Sequence, residues 1–149
     1  MNKKRLINGL LILMSALFVL SFMLPAYGVD SDTLYGHDCA NFALMGLMQN
    51  VNEFSISDFI TFSFYNFPNF IIPLTLLIHW KLNKIVLLFI VLVSSASAGY
   101  WIIFDAQNLK IGYWLWLLCC ISLPTLMYIK RVLSQKTTKS EATELLDNF

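Results

Sequence analysis

The residue types that could do chemistry in this 149-residue chain are confined to a few places. Asp30, Asp32, His37, Asp38 and Cys39 lie close together, and carboxylates, imidazoles and thiols of this kind ligate metals or move protons. Their spacing works against that use. His37, Asp38 and Cys39 are consecutive, so they converge on one ion only through an unusual turn, whereas a solvated acidic loop accommodates them without strain. Cys39, a lone thiol in a loop, suits an intermolecular disulfide if that loop faces an oxidising space. Cys119 and Cys120 are vicinal, which disfavours a bond between them, and thiols in a long apolar block act as small hydrophobes. With no CxxC pair, thiol-disulfide oxidoreductases linked to quinones are excluded.

A second grouping, Asn66, Pro68, Asn69 and Pro73 among Phe62, Phe64, Phe67 and Phe70, places polar amides and helix breakers inside an apolar run. Broken polar segments of this kind line substrate paths in transporters; the alternative is a structural kink whose amides bond across to the serine-rich part of the third apolar block, Ser94 to Ser97. Ser94 with Ala98, and Ser95 with Gly99, stand four apart and so form small-xxx-small faces for helix packing. The tail string Glu141 to Leu146 fits a short acidic dileucine pattern of low specificity. There is no phosphate-binding glycine loop, serine-nucleophile elbow, HExxH pair or nucleic-acid patch. We therefore expect no catalytic residue, no cofactor, no resident metal and no nucleic-acid partner.

The elements that position these residues follow from composition. Hydrophobic residues make up 58% of the chain and charged ones 13%, with a mean hydropathy of +0.67. Soluble domains run near 45–50% apolar and about 25% charged, so lipid is the expected solvent. The first apolar block, Leu6 to Leu24, follows Lys3, Lys4 and Arg5 and precedes Pro25. At 1.5 Å per residue it covers about 28 Å, close to the hydrocarbon thickness. A cleavable signal peptide is the rival, with Ala26 and Gly28 imitating a cleavage site, but the block exceeds the usual apolar region of such peptides.

Four spans result, at about 6–26, 56–80, 85–104 and 111–129. An outer loop over 27–55 carries one short interfacial helix near Phe42 to Met48. Ser55 with Asp58 is a candidate cap for span two. Pro68 and Pro73 must kink that span, freeing the carbonyls of Phe64 and Asn69, which only neighbouring helices or nearby polar side chains can satisfy in lipid. The predicted fold is all-α: a polytopic antiparallel four-helix transmembrane bundle over 1–133, followed by a tail over 134–149 too polar to build a core.

Charge sets the orientation. Lys3, Lys4, Arg5, Lys81, Lys84, Lys130, Arg131, Lys136 and Lys139 gather on one side against Glu141, Glu144 and Asp147. The other side holds Lys110 against Asp30, Asp32, Asp38, Glu53, Asp58 and Asp105. The positive-inside rule then places both termini in the cytoplasm. Tyr27, Tyr100, Trp101, Tyr113, Trp114 and Trp116 at outer ends, with Trp80 and Tyr128 at inner ends, occupy the aromatic belts.

Within the spans only Asp58, at the outer rim, is charged. An ionisable group at depth costs roughly 2.5–3.5 kcal/mol on the insertion scale, and ion-coupled carriers accept that cost for function; this chain does not. The expected function is that of a small non-enzymatic membrane protein, in a bacterial inner membrane. It acts on another membrane protein or on its own copies, as an accessory subunit or toxin-immunity factor does. The alternatives are a transporter or channel subunit using the broken second span, and a membrane enzyme with an outer-loop Asp/His/Cys site.

Overall fold

The computed structural model describes residues 3–29, 32–49 and 56–146. Five α-helices dominate: α1 Lys3–Ser21, α2 Gly36–Gln49, α3 Ile56–Ile78, α4 Lys84–Asp105 and α5 Ile111–Leu146. Two short strands, β1 Pro25–Val29 and β2 Asp32–Tyr35, pair antiparallel between α1 and α2, and a 3-10 turn, Ala106–Asn108, joins α4 to α5. The chain is thus mostly helical, as its apolar blocks imply. Two stretches, α1 and the Ile111–Gln135 part of α5, are long and apolar enough to cross a membrane, with mean hydropathies of 1.6 and 1.5; Asn66–Ile78 and Lys84–Tyr100 are shorter apolar stretches.

The first expected span stops early. Its helix ends at Ser21 rather than running to position 26, because Pro25 lacks an N–H and disfavours helical geometry in the residue before it. The chain tightens instead, with Phe22 N bonding Val19 O and Leu24 N bonding Ser21 O. The outer segment is also more ordered than a loop with one or two helical turns. The hairpin occupies its start, and α2 extends for 14 residues.

Two devices start α2. Asp38, at the third helical position, accepts the Tyr35 N–H at 3.1 Å, the return half of a capping box. The orphan donors Gly36 N and His37 N bond Leu24 O at 3.0 Å and Phe22 O at 2.9 Å, so the beginning of α2 is stitched onto the segment that leaves α1. Gly36 is needed there, since a Cβ would lie 2.5 Å from Ser21 O.

The helix α4 begins at Asn83, whose Oδ1 accepts Val86 N at 2.8 Å, a cap the apolar pattern alone does not single out. The last helix is longer than expected. It passes through Pro124 and carries most of the polar tail to Leu146 over 36 residues, about 54 Å. The proposed Ser55 cap lies outside the described residues, as does Asp30.

Helix α5 is the central post. Cys119, Cys120, Leu123 and Met127 recur at helical spacing and are wholly buried, in one cluster with Ile7, Leu11 and Phe18 of α1, Ile72 of α3, and Leu87 and Ala98 of α4. A second cluster, Ala26, Leu109 and Tyr113, seats the hairpin on the α4–α5 junction. Lys110 N donates to Ala26 O at 2.9 Å, and Tyr27 pairs with Leu109 in an isolated bridge. The outward faces are apolar too: Ile12, Leu77, Ile85 and Ile103 are each at least 66% exposed, the inverse of a soluble surface.

Two glycines test this packing. A Cβ on Gly112 would lie 2.7 Å from both Leu24 O and Pro25 O, whereas one on Gly99 meets nothing within 4 Å. Gly112→Ala should therefore cost about 1–3 kcal/mol in reversible unfolding from detergent, by overpacking rigid backbone. Gly99→Ala should be neutral, and equal effects of the two would contradict the packing described.

Candidate functional site

The broken segment of α3 is where polar groups from three helices meet. Pro68 has no N–H to offer Phe64 O, the bond an ordinary helix would make. The replacement donor is Ser97 on α4, whose Oγ lies 2.5 Å from Phe64 O. One turn further along α3, the Asn69 side-chain oxygen accepts from the indole N–H of Trp116 on α5 at 2.8 Å. Asn66 and Pro68 are buried, Asn69 is half-buried and Pro73 faces outward. Of the four residues expected to form the kink, three therefore point into the bundle. The expected partners are corrected in one respect: the serine of α4 serves the freed carbonyl, and the amide goes to α5. Trp116, read from sequence as a belt aromatic, is the third member.

The small-residue faces divide in the same way. Ser94 and Ala98 are wholly buried, and the Tyr113 hydroxyl of α5 donates to Ala98 O. Ser95 bonds back to Val91 O at 2.7 Å within its own helix, and Gly99 is only half-buried. One face packs inside the chain and the other does not. Ser94 Oγ is buried without a hydrogen-bond partner.

A groove of about 250 Å³ runs along α3, lined by Ser63, Asn66, Phe67, Phe70, Ile71 and Leu74. These positions recur at three- and four-residue intervals, so they form a single helix face. Phe70 and Leu74 are more than half exposed on it.

Among the described residues, Asp32, His37, Asp38 and Cys39 do not converge. His37 Nδ1–H donates to Phe22 O at 3.0 Å, and its Nε2 lies 3.4 Å from Asp38 Oδ1, while Asp38 Oδ2 serves the α2 cap. Asp32 is exposed in β2. Cys39 turns toward the Ala26, Leu109 and Tyr113 cluster. Among the described residues no three His, Cys, Asp or Glu side chains gather as a metal site. His37, Asp38 and Cys39 each join α2 to its neighbours.

The network around Asp105 was not legible in the sequence. Tyr27 donates to Asp105 Oδ2, and Asn108 Nδ2 donates to Asp105 Oδ1 at 2.8 Å. Tyr27 and Asp105 are 78 positions apart, and nothing local pairs them. The hydrogen bond to Asp105 raises the Tyr27 hydroxyl above its ordinary pKa.

Burial raises the Cys39 thiol above its ordinary value, and the Asp38 carboxylate adds to the effect. The cysteines Cys119 and Cys120 are wholly buried in α5. A thiol held neutral is a poor nucleophile. A membrane-impermeant maleimide should label Cys39 more slowly than an unhindered cysteine at pH 7, with the rate still climbing above the ordinary thiol range. A rate equal to that of free cysteine would contradict the contact.

A double-mutant cycle probes the kink. Ser97→Ala should cost about 1 kcal/mol, near the upper part of the measured range for interhelical bonds in membranes. In a Pro68→Ala background, where residue 68 regains its own N–H, that cost should fall toward zero. Additive effects would show that Ser97 does not answer the proline. The chain matches no known protein-family model, no curated protein and no solved structure.

Proposed function

We propose that this chain is a four-span protein of a bacterial inner membrane, both ends cytoplasmic, that works by packing against another membrane protein rather than by catalysis. The lengths of α3, 23 residues, and α4, 22 residues, correspond to about 33–35 Å, sufficient for a hydrocarbon core of about 30 Å. The one-sided gathering of Lys and Arg supports the orientation.

The observation that carries the reading is how the polar groups of α3 are used. Ser97 with Phe64 O and Trp116 with Asn69 tie three helices together, which is a holding role. What α3 leaves outward is a face with a groove, bordered by Phe70 and Leu74 and by the buried edge of Asn66. In lipid no hydrophobic force selects one apolar face over another, so a grooved face with a polar group beneath it is the better place for a partner helix.

The test is co-purification. Phe70→Ala with Leu74→Ala should reduce recovery of the partner, or of a second copy, at least tenfold after crosslinking in native membranes, with expression unchanged. Recovery of monomer alone from the unmodified chain would refute the proposal. Reporter fusions at residues 40 and 135 should fall on opposite sides of the membrane.

A further inference from the structure

Arg131 holds an unusual position. It lies four residues beyond Met127, which is wholly buried, so its stem continues the inward stripe of α5. Its Nε is buried and has no hydrogen-bond partner, although the residue as a whole is only partly covered. A guanidinium N–H shut away from water without an acceptor is costly, and a planar guanidinium fits a phosphate or carboxylate through two parallel bonds.

The surroundings are cationic. Helices α1 and α5 run antiparallel, in contact from Gly112 beside the backbone of Leu24 and Pro25 down to the cluster of Ile7 and Leu11 with Leu123 and Met127. Arg131 lies about 28 Å along α5 from Gly112, and Lys3 lies about 27 Å back along α1 from Ser21, where that helix ends and the turn to Leu24 begins. The start of α1 is therefore level with Arg131. It contributes the exposed Lys3 and Arg5, the positive end of a helix dipole and no acidic residue in its first turn. Lys130 stands beside Arg131 in sequence. The acidic residues of the tail begin at Glu141, about 15 Å further along the axis.

We propose that the inner ends of α1 and α5 form a seat for a phosphate-bearing anion, with Arg131 as its central donor. The headgroup of an anionic phospholipid in the cytoplasmic leaflet meets this chemistry at this depth, since basic pockets between spanning helices at that surface attract such lipids. The assignment to lipid rests on the topology proposed above; the anion chemistry does not.

The experiment uses the purified full chain in uncharged detergent, following thermal unfolding with short-chain phosphatidylglycerol, short-chain phosphatidylcholine or inorganic phosphate. Phosphatidylglycerol should raise the Tm by several degrees through preferential binding to the folded state, and phosphatidylcholine should not. An equal rise with inorganic phosphate supports the seat and assigns it to a soluble anion. Arg131→Gln should abolish the rise, whereas Lys110→Gln at the opposite end should preserve it. If Arg131→Gln does not fold, Arg131→Lys, which keeps the charge but loses the forked donors, should weaken binding at least threefold. Equal stabilisation by both lipids, or an undiminished rise in the Arg131 variants, overturns the proposal. Reporter fusions that place the start of α1 outside would refute the topology while leaving the binding result standing.

Discussion

A backbone carbonyl in an apolar interior must find a donor, and in this protein the sharpest instance is Phe64 O. Pro68 removes the donor that the helix would otherwise supply, and no water is at hand inside a packed bundle. The Ser97 hydroxyl of α4 meets the need. That bond fixes which face of α4 turns toward α3 and at what level the two helices meet. Once Ser97 is placed, Ser94 and Ala98, on the same face of α4, turn inward with it, and Tyr113 of α5 reaches Ala98 O. Trp116, three residues on from Tyr113, then stands opposite Asn69. One proline thus sets constraints that pass through three helices.

Four other serine and threonine hydroxyls follow a different rule. Ser15, Ser95, Thr75 and Thr125 each bond back to the carbonyl four residues earlier, at 2.6–2.7 Å. This satisfies a hydroxyl inside an apolar helix without committing it to a neighbour. Ser97 differs because a proline on the facing helix leaves an acceptor within reach. The distinction separates polar residues that hold helices together from those that are merely tolerated.

Where α1 ends and α5 begins, the packing is governed by backbone contact. Gly36 against Ser21 O and Gly112 against Leu24 O and Pro25 O leave no room for side chains, so the turn after α1 is gripped between the starts of α2 and α5. The hairpin then reaches the α4–α5 junction through Tyr27, Asp105 and the Lys110 N–H. Asp38 takes its place as a cap and Asp105 as a link within this lattice, and His37, Asp38 and Cys39 point to three different neighbours.

The sequence by itself determined the helical character, the approximate positions of the long helices and the demand created by Pro68. These are properties of local composition and of bonds between residues three or four apart, and they need no knowledge of neighbours. Tertiary structure alone decided which donor answered Phe64 O, that Asn69 pairs with Trp116, that only the Ser94 and Ala98 face is packed, and that the segment after α1 forms a hairpin closed by Tyr27 and Asp105. It also showed that α5 continues into the polar tail through Leu146. Each of these depends on which surfaces meet in space, and pairings across 33, 47 or 78 positions leave no periodic trace along the chain.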